Sequence, residues 1–172
     1  SAFLGATYVT FLLGHGLSLL QANLVNAAFF LTMTVCEIPT GAIADVLGRR
    51  TSFLWSCGLL MVSSVVYASS TTMAGFVMAE VISAVGFTCR SGAFQAWLVD
   101  QLKHHRYDGS LIPLFARTTL LERGALMVGA LAGPFLYRRT PNLPWIASAC
   151  AFALAGVVAA VIPSTNPTST AI

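Results

Sequence analysis

The chain has 172 residues, of which 56% are hydrophobic and only 9% charged, with a net charge of +3 and a mean hydropathy of +0.79. A soluble domain carries about a quarter of its residues charged, so this composition excludes one and belongs to a multi-spanning membrane protein. The basic residues are scattered between apolar runs rather than gathered on one face, which excludes a nucleic-acid footprint. At about 20 residues per span, six spans with short loops nearly fill the length. The four cysteines (Cys36, Cys57, Cys89, Cys150) fall in separate apolar runs without close spacing. They read as small buried side chains, with no disulfide or metal site.

The first apolar run, 2–14, is short for a span and has no initiator Met or basic residues ahead of it, so the sequence is expected to start partway into a helix. His15, between Gly14 and Gly16, falls at the end of that run. The second span is expected over 22–44, with Glu37 toward its end and Pro39 bending it. The third, 51–70, has no charge after Arg50, and the minimal loop Ser69-Ser-Thr-Thr72 makes a hairpin with the fourth. The fourth, 73–102, holds Glu80, Arg90 and Asp100 and is expected as one continuous helix. At about 45 Å it would overrun a hydrocarbon core of about 30 Å, so its last turns are expected in the interface beside Lys103. The loop His104-His105-Arg106-Tyr107-Asp108 follows; its histidines lack further ligands at a defined spacing and read as a solvated loop. A fifth span, 114–137, carries Arg117, Glu122 and Arg123, and a sixth, 143–162, is uncharged with Trp145 near its start. Residues 164–172 form a polar tail or the start of a linker.

One charged hinge organises this pattern. Gly41-Ala-Ile-Ala-Asp45-Val-Leu-Gly48-Arg49-Arg50 lies between the second and third spans. Gly41 and Gly48 supply backbone freedom for a tight turn, while Asp45 and Arg49, four apart, would share a helix face and can pair. Arg49, Arg50, Lys103 and Arg106 fall on one side of the membrane, with Arg117 nearby, against Arg138 and Arg139 on the other. The basic majority marks the cytoplasmic side, so loop 41–50 is expected to be cytoplasmic.

Together with the preceding Glu37-Ile38-Pro39-Thr40, this stretch resembles the helix 2–3 loop signature of the major facilitator superfamily of secondary transporters. The resemblance runs nearly the whole chain, and it implies an all-α polytopic membrane protein: residues 1–163 as a six-transmembrane-helix bundle, the N-terminal half of that fold. It further implies that helices 1 and 4 line a central cavity and that helices 2 and 5 pack between halves. By the same resemblance, Asp100 is the acidic partner of the loop arginine, so Gly41, Asp45, Gly48, Arg49, Arg50 and Asp100 form a cytoplasmic gating motif. Gly129-x-x-x-Gly133-Pro134 is similar to the core of the antiporter helix 5 motif, though two further glycines of that motif are replaced by Phe135 and Leu136 onward. Small residues four apart also permit close helix approach in their own right.

Ionisable groups inside spans cost about 2.5–3.5 kcal/mol each at the centre and so face a protein interior or a wet cavity. Glu80, Arg90, Glu122 and Arg123 are the main candidates for a substrate or proton path, with Glu37 and Gln95 beside them. By the 3.6 period Glu80 and Gln95 share a face, with Arg90 turned away; neutral readings as structural pairs stand beside the functional ones. The reading is transmembrane transport of a small solute by alternating access, through proton-coupled efflux, in a bacterial inner membrane. Its partners are the lipid bilayer, the solute, protons and a second six-helix half; no cofactor, metal or nucleic acid is expected. A non-transporting six-span scaffold is the alternative, and no nucleophile, base and metal set points to an enzyme. Nothing in the residues identifies the solute.

Overall fold

The computed structural model describes residues 7–91, 93–104 and 109–162, with the backbone alone for residues 94–96, 100, 103 and 104. The expectations for His105, Arg106, Tyr107, Asp108 and the tail 164–172 therefore lie outside the described residues, as do those for the side chains of Gln95, Asp100, Lys103 and His104.

The described residues are helical, in the order α1 (Tyr8–Gly14), α2 (Leu19–Leu47), α3 (Arg49–Ser69), α4 (Met73–Arg90), α5 (Ala93–His104), α6 (Leu111–Arg139) and α7 (Leu143–Val161). Five of them, α2, α3, α4, α6 and α7, are long and apolar enough to cross a membrane. α1, at seven residues, is too short to cross one by itself.

Local chemistry sets the boundaries. α2 begins in a reciprocal cap: the Ser18 hydroxyl accepts from the Gln21 amide at 3.2 Å, and Gln21 Oε1 accepts from the Ser18 amide at 2.8 Å. Its start thus precedes the expected 22. Pro39 lies inside α2, where it withdraws one amide from the helical ladder, and the Thr40 hydroxyl beside it donates to the carbonyls of Cys36 and Glu37. The turn expected at two glycines is made by one: Gly48 alone separates α2 from α3, at φ 88° and ψ 144°, while Gly41 is an ordinary helical residue. The helix expected over 73–102 is divided. Ser91 takes extended angles (ψ 122°) and its hydroxyl turns back to the Thr88 carbonyl, so α4 stops at Arg90 and α5 starts afresh at Ala93. Serine competes for backbone groups in this way and weakens a helix interior.

α3 is the central rod, packing on α4 along one side, on α7 along another, and touching α5 and α2. Its covered face is built from Ser52, Ser56, Cys57, Leu60, Ser63, Ser64 and Tyr67. Small side chains there let backbones approach, the usual way helices associate where no hydrophobic force separates them from lipid. Two hydroxyls bridge directly to α4: Ser52 donates to the Cys89 carbonyl and Ser63 to the Ala79 carbonyl, both at 2.9 Å. A Cβ at Gly86 of α4 would sit 3.0 Å from Leu60 Cγ. α2 lies along α4, whereas α6 is peripheral and meets α7 lightly. Contacts fix the directions: Ser52 meets Cys89, Arg50 meets Ala159, and Tyr67 meets Trp145, so α3 runs antiparallel to both α4 and α7.

Gly48→Ala forces a side chain into backbone angles that only glycine adopts freely, and is expected to destabilise the chain by about 1–3 kcal/mol. Gly41→Ala, on a helix with open space where the Cβ would go, should be neutral or stabilising by up to about 1 kcal/mol. Dodecyl sulfate unfolding in mixed micelles, followed by far-ultraviolet circular dichroism, separates the two; equal midpoints would refute the one-residue turn.

Candidate functional site

Three polar sites interrupt the apolar bundle. The first is the end of the bundle that carries Gly48. Here Asp45 is exposed on the last turn of α2, and Arg49 is the first residue of α3. The Gly48 break between them means that their spacing of four does not make an intrahelical pair. Arg50 is turned inward: Nε donates to the Ala159 carbonyl at 3.2 Å and Nη2 to the Ala160 carbonyl at 2.7 Å. These are carbonyls of the last turn of α7, which lack helical partners and carry the negative end of the helix dipole. Arg50 therefore clamps the end of α7 to the start of α3. The described structure has only the backbone of Asp100, on α5; α5 itself packs on the first turns of α3 through Trp97, stacked on Phe53 at 6.0 Å.

The second site lies toward the other end, inside the bundle. Glu80, in the second turn of α4, is 7% exposed. The Tyr67 hydroxyl donates to its Oε1 at 2.7 Å, and among the described residues no basic side chain forms an ion pair with it. Tyr67 is stacked flat on Trp145 of α7 (3.8 Å, 6°) and offset on Phe76 (5.7 Å). Tyr8 of α1 stands edge-on to Tyr67, its own hydroxyl buried without a hydrogen-bond partner among the described residues. Phe11 and His15 close the cluster from α1, with ring centroids 4.3 Å apart, and His15 Nδ1 lies 2.8 Å from the Phe11 carbonyl. A buried carboxyl so held is fixed in orientation beside a cluster of six rings.

The third site is a cavity of about 720 Å³ between α4, α6 and α7. Arg90 and Glu122 both line it, together with Phe87, Gly129, Ser148 and Phe152. The Arg90 guanidinium sits 5.0 Å from the centre of the Phe87 ring, a cation–π distance. No ion pair joins Arg90 to Glu122 among the described residues.

The candidates from the sequence are thus distributed over separate places. Arg90 and Glu122 come together on one cavity; Glu80 does not line it, being held against α3 instead. Glu37 and Arg123 are exposed on α2 and α6. Gly129 and Gly133 are the buried residues of α6, with Pro134 directly after them. The residues that sequence reasoning missed are Tyr8, Tyr67 and Trp145, the surroundings of Glu80. The signal for Tyr67 was present: it stands near the end of one arm of a hairpin whose other arm holds Glu80 near its start.

Apolar helices of membrane length and small-residue packing between them define an integral membrane protein with a helical bundle. No protein-family model matches the chain. It is similar to the uncharacterized MFS-type transporter YxaM of Bacillus subtilis (strain 168), at 22% identity over 139 residues. The match covers 81% of this chain and 34% of that protein, so the chain spans about a third of the length of the relative.

Tyr67→Phe removes the donor to a buried carboxyl and is expected to cost about 1–3 kcal/mol, whereas Glu80→Gln keeps an acceptor for Tyr67 and should cost less. An unchanged midpoint for Tyr67→Phe in micelle unfolding would show that the hydroxyl contributes nothing. Arg50→Gln should lower stability by about 1 kcal/mol, as expected for a half-exposed charged donor to helix-end carbonyls, and should speed amide hydrogen exchange at 159–162 while leaving α4 unaffected; unchanged exchange there would argue against the clamp.

Proposed function

We propose that the chain is the N-terminal half of a major-facilitator-type secondary transporter, moving a small solute across a bacterial inner membrane by alternating access. The observation that carries this reading is the uneven covering of the helices. In α2 and in α6 only 11% of the most apolar stretch is buried, against 28–39% in α3, α4 and α7. A lipid-facing helix is just as uncovered, but it does not carry charge at its middle without cost. α6 exposes Arg117 and Arg123 away from the α4–α6–α7 cavity, and α2 exposes Glu37. These faces call for a second protein wall and a wet path between the two, the arrangement in which two similar halves rock about a central site. The similarity to an MFS-type transporter of about three times the matched length supports the same reading, as does the signature around Asp45 and Arg49.

In this reading α3, α4 and α7 move as one body, because hydroxyl bridges and close backbone contact make them stiff. Gly48 is the flexible joint to α2. Asp45 and Arg49, with Asp100, hold the cytoplasmic end closed in one state, and Arg50 keeps α7 attached to the moving body. Glu80 is the group that takes up and releases the coupling proton, with Tyr67 orienting it. Proton exchange against an outgoing solute is the coupling that the partial helix 5 motif favours.

The test uses the complete carrier in proteoliposomes containing pyranine, with a panel of drugs, sugars and amino acids added outside. The wild type is expected to couple proton flux to at least one of them. Asp45→Asn and Arg49→Ala should abolish both proton and solute movement with normal insertion, and Glu80→Gln should abolish proton flux while solute exchange survives. Absence of coupled flux in the wild type across the panel would favour a non-transporting scaffold.

A further inference from the structure

We infer that the cavity between α4, α6 and α7 is a side-entry binding site for a zwitterionic amphiphile, of the phosphocholine-lipid kind. The inference stands on the cavity and its lining, and does not depend on the transport reading.

The lining is ordered along the helix axes. Arg90 is the last residue of α4, and Glu122 is the first lining residue of α6, which runs opposite to α7. Both charges therefore lie at the same end, toward Gly48. Going the other way, α4 contributes Phe87, α6 contributes Leu126 and then Gly129, and α7 contributes Phe152 and then Ser148. From Glu122 to Gly129 the cavity extends seven residues, about 10 Å along the axis. A charged rim followed by an aromatic and aliphatic trough is the shape of a head group with an apolar chain. The volume, about 720 Å³, falls within the range of about 300–1,000 Å³ typical of small-molecule sites.

The rim carries one charge of each sign, and among the described residues the two do not pair with each other. A singly charged amphiphile leaves one of them uncompensated; a head group with both charges satisfies both, its phosphate on Arg90 and its ammonium on Glu122. Phe152, which also lines the cavity, offers a ring face to a cation. Entry is from the side. Among the lining residues Glu122, Leu126, Val128 and Ala151 are exposed, α6 meets α7 only lightly, and these four positions lie well inside the two helices, on the flank of the bundle. In a membrane protein that flank is reached by molecules dissolved in the bilayer.

Native mass spectrometry of the purified protein in a neutral detergent tests the assignment with three lipids of identical dioleoyl chains: phosphatidylcholine, phosphatidylglycerol and the cationic trimethylammonium-propane. The wild type is expected to retain phosphatidylcholine about tenfold more tightly than either of the others, the weight of one charge-assisted contact. Arg90→Gln and Glu122→Gln should each erase that preference, and Arg138→Gln, outside the cavity, should keep it. Circular dichroism of each variant establishes that the fold is retained, and Ala151→Leu, which narrows the trough without touching a charge, should weaken retention of phosphatidylcholine several-fold. Equal retention of the three lipids, or a preference that survives both charge substitutions, overturns the proposal. So does displacement of the lipid by equimolar glycerophosphocholine, because the apolar trough would then contribute nothing. Loss of solute transport with this lipid preference intact would count against the transport reading alone.

Discussion

Helix α3 carries serine, cysteine and a few larger side chains on a face that three neighbours share, and the bundle depends on how closely that face lets their backbones come. In lipid there is no hydrophobic gain from bringing two apolar helices together, since the tails are as apolar as leucine. Attraction comes from short-range packing and from hydroxyls that reach a carbonyl across the gap. Ser52 and Ser63 do this toward α4, and Gly156 of α7 brings its backbone against Cys57, where an added Cβ would lie 3.4 Å from the Cys57 Cβ. The same economy of side-chain volume leaves room at the α4–α6–α7 junction, where α6 has no comparable stripe facing α7 beyond Gly129 and Gly133.

Much of this was legible in order of span but not in level. The apolar runs between charged loops mark the helices because a bilayer requires internal satisfaction of backbone groups. Gly48 stood out by its position between two runs. Gly41 was harder, because a glycine in an apolar stretch is compatible with a turn and with a helix; only the neighbours' hydrogen bonding decides. The start of α2 was hidden for a related reason: the capping pair Ser18 and Gln21 sits in an almost unbroken apolar stretch, where composition shows no boundary. The division at Ser91 has the same origin, as a 30-residue run that hydropathy alone treats as one.

The sites divide in a similar way. Glu80, Arg90 and Glu122 announce themselves as charges in spans, but their partners depend on which residues stand level across antiparallel helices. Tyr67 and Glu80 illustrate the missing step. Helical side chains lean toward their own N-terminus, so Tyr67, near the end of α3, leans away from the hairpin loop and Glu80, past the start of α4, leans toward it. The two tips meet although their Cα levels differ. Arg90 and Glu122 required more: the hairpin of α6 and α7 had to be laid against α4 before their common cavity existed, and no local pattern contains that information.

The two kinds of polar site differ in what surrounds them, and the difference bears on what each can do. Glu80 is buried and accepts from Tyr67, whose ring packs against rings from α1, α4 and α7, Trp145 being stacked on it at 3.8 Å. Arg90 and Glu122, in contrast, line a space that is already open, and a charge there can be met by a ligand without moving a helix. Arg50, at the start of α3, has its charge committed to the carbonyls of α7. The closely packed α3–α4–α7 core thus holds a buried acid toward one end, while a roomy cavity lined by one charge of each sign lies toward the other.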